Sequence, residues 1–175
     1  MSAEFCDTIV SHIPALRAYA RVLQQDREAA DDLVQDCLAR AVEKQHLWQP
    51  GTNLKSWLFT ILRNLFINDV RRHNRRPDTL GDPKTQSNLS QPEQQTGVTE
   101  VQELEFAFHQ LPEQHRTALA LVVIQGMQYK EAAEILDMPV GTIRSRISRA
   151  RQELRQGLDC AEEVRSRSTK KALTE

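Results

Sequence analysis

The stretch "YKEAAEILDMPVGTIRSRISRARQEL", residues 129–154, decides how this chain folds. Its first eight residues put Ala132, Ala133, Ile135 and Leu136 on one side of a short helix. "DMPVG" (137–141) then breaks the pattern, because proline and glycine together interrupt a helix. From Thr142, which reads as the cap of the next helix, Ile143, Ile147, Ala150, Leu154 and Leu158 recur every three or four residues. A short apolar helix, a tight turn and a second helix with one packed face make a helix-turn-helix.

With Ile143 and Ile147 turned inward, Arg144, Ser145, Arg146, Ser148 and Arg149 are left outside at the start of the second helix. Arginine grips guanine through paired hydrogen bonds and also holds phosphate, and serine serves either. Positive charge near a helix N-terminus opposes the helix dipole, so arginines kept there point to an anionic partner. A solvated basic face is the blander reading, but it does not explain why the charge is so local. Residues 140–158 hold five arginines against Glu153, and residues 100–128 hold four glutamates against Arg116, in a chain of net charge −1.

Before this unit, residues 76–99 ("RPDTLGDPKTQSNLSQPEQQTGVT") contain three prolines, four glutamines and almost no large apolar residue. Such a composition buries too little surface to offset ordering entropy and reads as a flexible linker. It separates a unit at 1–75 from a unit at 100–158, with a frayed or extended tail at 159–175. The first unit is helical in pattern: Ile9, Ile13, Leu16, Ala20 and Leu23 form one stripe. Leu33, Val34, Cys37, Leu38, Ala41 and Val42 form a second, with Asp26 or Asp31 as its cap. After a turn at 49–53, Leu54, Trp57, Leu58, Ile61, Leu62, Leu65, Phe66 and Val70 form a third. Its polar side shows Lys55, Thr60, Arg63, Asn64, Asn68, Arg71 and Arg72. Two asparagines beside three arginines suit nucleic acid better than water, since asparagine has modest helix propensity. The fold class is therefore all-α, with two small helical domains.

Composition excludes much else. Scarce aromatics, at 5%, and few glycines disfavour a sandwich or barrel. No apolar run approaches the roughly 18 residues of a membrane helix, so no membrane span is expected. The opening "MSAEFCDTIV" lacks the basic region of a secretory signal, which points to a cytoplasmic protein. Cys6, Cys37 and Cys160 are too far apart for a metal site or a disulfide framework. There is no Gly-rich phosphate loop and no HExxH motif, so neither an enzyme nor a cofactor is expected.

Three stretches together carry a family resemblance: "DREAADDLVQDCLARAVEK" (26–44), "PGTNLKSWLFTILRNLFINDVRR" (50–72) and "LPEQHRTALALVVIQGMQYKEAAEILDMPVGTIRSRISRARQEL" (111–154). In this order, across this linker, they resemble the extracytoplasmic-function (ECF) sigma factors, the smallest group of the bacterial sigma-70 family. "PGTNLKSWLFTILRN" is most similar to the general-stress-response members of alphaproteobacteria. The resemblance implies a sigma factor that directs promoter-specific transcription initiation in a stress response. Residues 1–75 would be sigma region 2 and residues 100–158 sigma region 4. Asp31, Asp32, Leu33, Gln35 and Asp36 would dock on the clamp of core RNA polymerase. Lys55, Arg63, Asn64, Asn68, Asp69, Arg71 and Arg72 would read and open the −10 element. Arg144, Ser145, Arg146 and Arg149 would read the −35 element, with Thr142 and Arg151 on phosphates. The helices at 100–126 would help dock region 4 on the polymerase flap.

Promoter DNA, core polymerase and an anti-sigma factor are thus the implied partners. The same resemblance suggests a GGAAC-like −35 element and a GTT-like −10 element. A sigma-like decoy that titrates an anti-sigma factor is the alternative. It would carry an attached receiver domain and have little reason to keep Arg144, Ser145, Arg146 and Arg149 together. A stand-alone repressor would need a dimer interface and would leave residues 1–75 unexplained.

Overall fold

The computed structural model describes residues 3–24, 26–49, 51–74 and 100–172, and among them there is no strand. The proposed linker at 76–99 lies outside the described residues. The first unit is a three-helix packing of α1 (Ala3–Leu23), α2 (Arg27–Glu43) and α3 (Leu54–Asn74), with a single 3₁₀ turn at Gln45–Leu47. Asp26 caps α2 by accepting a hydrogen bond from the Glu28 N–H at 2.8 Å. Leu16, Tyr19, Ala20, Val34, Cys37, Leu58, Phe59 and Leu62 interlock as its core. Cys37 is fully buried, and its thiol donates to the Leu58 carbonyl at 3.4 Å. Tyr19 and Phe59, with ring centroids 5.2 Å apart, fill the centre although neither belongs to an expected stripe. Val70 and Val42, expected inside, are respectively 39% and 36% exposed. Both stand at the fringe of their helices' packed faces.

The second unit comprises α4 (Glu100–Gln110), α5 (Glu113–Leu119), α6 (Tyr129–Leu136) and α7 (Val140–Ala172). Between α5 and α6 the helix widens at Ala120–Ile124, where the Gln125 N–H reaches back five residues to the Ala120 carbonyl. Gly126, at φ +66°, supplies the left-handed turn that ends it. Arg116 is buried and donates through Nη1 to the carbonyls of His109 (3.0 Å) and Leu111 (3.4 Å). Its charge thereby serves the carboxyl end of α4. Burial lowers its pKa, and nearby Glu113 partly opposes that. Gly157 lets α7 cross α4 closely, since a Cβ there would come within 3.3 Å of the Ala107 methyl.

Two expectations are corrected here. α7 begins at Val140, so Thr142 lies inside its first turn and does not cap it. The Pro139 carbonyl takes that place, accepting from the N–H groups of Thr142 (2.9 Å) and Ile143 (3.2 Å). Residues 159–172, expected as a frayed tail, continue α7 as helix.

The two units close on each other, and a single buried cluster runs through both. α3 packs on α6 and α1 on α5. Lys55 Nζ donates to the Gln125 carbonyl at 2.6 Å, and the Asn53 amide donates to the Glu131 carboxylate. No helix among the described residues is long and apolar enough to cross a membrane.

Candidate nucleic-acid interface

The turn between α6 and α7 is built by hydrogen bonds that only a left-handed residue allows. Asp137 stands at φ 49°, its N–H bonding the Glu134 carbonyl, while the Met138 N–H reaches the Ala133 carbonyl at 3.0 Å. These paired bonds form a Schellman end, which fixes the direction in which α7 leaves. Ile143, Ile147 and Ala150 are each at most 1% exposed, so the opposite side of α7 is set outward.

The outward residues fall into two groups. Ser145 and Arg149 are exposed along the crest, and the Ser145 hydroxyl donates to the Thr142 carbonyl at 2.9 Å. Arg144, Ser148, Arg151 and Arg155 descend one flank, where with Tyr129 they line an open trough of about 530 Å³. Arg144 lies over the Tyr129 ring, its guanidinium carbon 5.9 Å from the centroid. That contact steadies the charge by cation–π attraction while leaving its N–H edge free. Arg146 does not join the others. It is half-buried on the far flank and approaches the Met138 sulfur at 3.2 Å. Tyr129 and Arg155 went unnoticed in the sequence as site residues, and Ser148 was read only as outward-facing, although the spacing 144, 148, 151, 155 is itself helical.

On α3, Asn64, Asn68, Arg71 and Arg72 are exposed. The asparagines stand one turn apart, so both amides face the same way. Asp69 is half-buried and pairs with His73 at 3.4 Å. Trp57 is turned toward Phe5, with centroids 6.5 Å apart, and Phe66 is buried. Amides and guanidinium groups, rather than stacking rings, are therefore what α3 offers a base. Lys55 is held by the Gln125 carbonyl, and Arg63 turns toward the second unit. A cleft of about 310 Å³ there is lined by Arg63, Arg146, Tyr19, Phe66, Ile67 and Glu113, among others.

The acidic face of α2 is partly as expected. Asp32, Gln35 and Asp36 are exposed, and Asp31 is half-buried with an ion pair to Arg17 at 3.3 Å. Leu33 is buried in the core at 7% exposure and is no surface contact, because its position follows the inward stripe of α2. No group of His, Cys, Asp or Glu among the described residues is arranged to hold a metal ion.

Known proteins share this fold. Residues 9–63 match the family model described as the Sigma2 domain of PhyR, and residues 102–154 match that of sigma-70 region 4. The chain is 44% identical over 148 residues to the ECF RNA polymerase sigma factor EcfG of Rhodopseudomonas palustris (strain TIE-1). That alignment covers 85% of this chain and 81% of the relative. The fold is similar to the sigma factor RpoE solved in complex with the anti-sigma factor NepR from Bartonella quintana. There the TM-score is 0.73 at 35% identity, covering 90% of this chain and 98% of that one. It is also similar to CnrH in complex with the cytosolic domain of CnrY, with a TM-score of 0.63 at 25% identity, over 89% and 88% of the two chains.

Proposed function

This chain belongs to the extracytoplasmic-function sigma factors of RNA polymerase, and from that premise we propose which of its surfaces does what. The exposed crest of α7 and the flank beside it read the −35 element, with Ser145 and Arg149 on the crest and Arg144 on the flank at base edges. Arg151 and Arg155 hold the flanking phosphates. The observation that carries this is the rigid Schellman turn, with Tyr129 beneath Arg144, which aims a basic helix outward from a packed helix-turn-helix. Thr142 keeps its phosphate role, now as a first-turn residue.

Asn64 and Asn68 meet a base of the −10 element, and Arg71 and Arg72 follow the backbone. The exposed Asp32, Gln35 and Asp36, with Asp31 beside them, dock on the polymerase clamp. The α4–α5 pair serves the flap. The RpoE relative is complexed with an anti-sigma factor, which supports an inhibitor of that kind as a further partner. The protein acts in the cytoplasm, where core polymerase and promoter are found.

Run-off transcription with purified core polymerase tests this, on a template bearing the GGAAC-like and GTT-like pair. A transcript dependent on the protein is expected. Arg149→Ala or Asn64→Ala should each reduce it by about tenfold or more, since a good base contact is worth roughly 1–3 kcal/mol. Undiminished transcript from both variants would refute the assigned reading faces.

A further inference from the structure

Resting on that reading, we infer that Tyr129 is a specificity-determining residue of the −35 interface. It is a positioning residue: its ring holds the Arg144 fork in a plane that suits a guanine edge, and without the ring Arg144 is left to wander over phosphates. The ring itself is fixed. Tyr129 opens α6 straight after Gln128, whose N–H donates to the Glu131 carboxylate at 2.8 Å and whose carbonyl accepts from the Ala132 N–H at 3.0 Å. It is half-buried and packs on the core cluster, so part of the ring is held while the rest lines the trough.

Arg144 stands in the first turns of α7 and is exposed, with its guanidinium carbon 5.9 Å from the ring centroid. Among the described residues no carboxylate forms an ion pair with it. Arg151 and Arg155 share its trough, and their like charge repels it. The ring is therefore what gives this arginine a preferred place. That matters more for a base than for a phosphate. Guanine accepts two parallel hydrogen bonds in the plane of the base, so the fork must arrive flat and in register. A phosphate accepts from many directions and tolerates a loose arginine. A fork already resting on a ring also loses less side-chain freedom when it docks. Promoter discrimination, rather than general affinity for DNA, is thus the property that the ring governs.

The test is run-off transcription by the holoenzyme on the GGAAC-like template and on templates with each guanine replaced in turn. Arg144→Ala identifies the guanine that Arg144 reads. At that guanine, Tyr129→Leu should lower the ratio of matched to replaced transcript by about two- to fivefold. Tyr129→Phe, which keeps the ring face, should hold the ratio. Combined with Arg144→Ala, Tyr129→Leu should lower it no further, since a residue acting through Arg144 has nothing left to act on. The salt dependence of promoter binding should be unchanged in Tyr129→Leu, because no phosphate contact goes with the ring. An undiminished ratio in Tyr129→Leu would overturn the inference, as would an equal fall in Tyr129→Phe or a further fall in the double variant. If Arg144→Ala disturbs neither guanine, the −35 role given to Arg144 fails, and the effect on promoter choice fails with it. The hold of the ring is read separately in the free protein. There, NMR relaxation of the Arg144 Nε–H should show greater mobility in Tyr129→Leu than in wild type or Tyr129→Phe. Equal mobility in all three would overturn the hold itself.

Discussion

The Tyr19 hydroxyl lies where neither unit supplies it a hydrogen-bond partner among the described residues. Burial holds its pKa well above the ordinary value, with Arg63 opposing and Glu113 adding, so it stays a neutral phenol. Tyr19→Phe keeps the ring against Phe59 and removes the unsatisfied group. It should stabilise the protein by about 1 kcal/mol, read as a higher urea midpoint at unchanged slope. A loss of stability would mean that the hydroxyl is satisfied in solution. At this scale the sequence was legible where a residue's chemistry and its helical phase agree, as for Ile143, Ile147, Asn64 and Arg149. It was not where they conflict. Tyr19 carries a polar atom in a fully buried position, and Leu33 sits among acids yet falls on the inward phase. Arg146 belongs by type with its neighbours, but it is turned by α7 toward the other unit.

Glu131 links two helix beginnings. One carboxylate oxygen accepts from the Gln128 N–H at 2.8 Å, closing the capping box of α6. The other accepts from Asn53, whose own side-chain oxygen caps α3 through the Ser56 N–H at 3.2 Å. A negative charge near two helix N-termini is favoured by both dipoles. Glu131→Ala should therefore cost about 1–2 kcal/mol of stability. Glu131→Gln, which keeps the box geometry, should lose only about 0.3–1 kcal/mol. Equal losses in denaturant titrations of the two variants would show that charge, not the box, is what matters. Elements were the most legible level, because apolar period fixed α2, α3, α6 and the start of α7. The exception is instructive: beyond Leu158 the apolar stripe ends while alanine, glutamate, arginine and lysine persist. Such a segment keeps helix propensity without a face to bury, so reading by stripe alone called it a tail.

For the whole molecule, the sequence announced two units and a linker but not that the units would meet, since a seam made of Lys55, Asn53 and Glu131 looks like ordinary solvated polarity. The near-neutral charge has a consequence of its own: a chain of net charge −1 neutralises few phosphates, so it gains little from DNA alone. One titratable group reports on this arrangement. His12 on α1 is half-buried, and burial first, then the positive charge of Lys55, lowers its pKa below the usual 6.5. Between that lowered value and 6.5 the unfolded chain binds more protons at this residue than the folded one. Its contribution is thus intact above about 6.5 and is lost as pH falls through the window below. The imidazolium formed there also repels the ammonium that Gln125 holds across the seam, so acid should loosen closure as well as lower stability. Urea unfolding at pH 7.5 and 5.5 should show a larger loss for wild type than for His12→Gln. A variant whose stability tracks wild type across both pH values would remove His12 from this account.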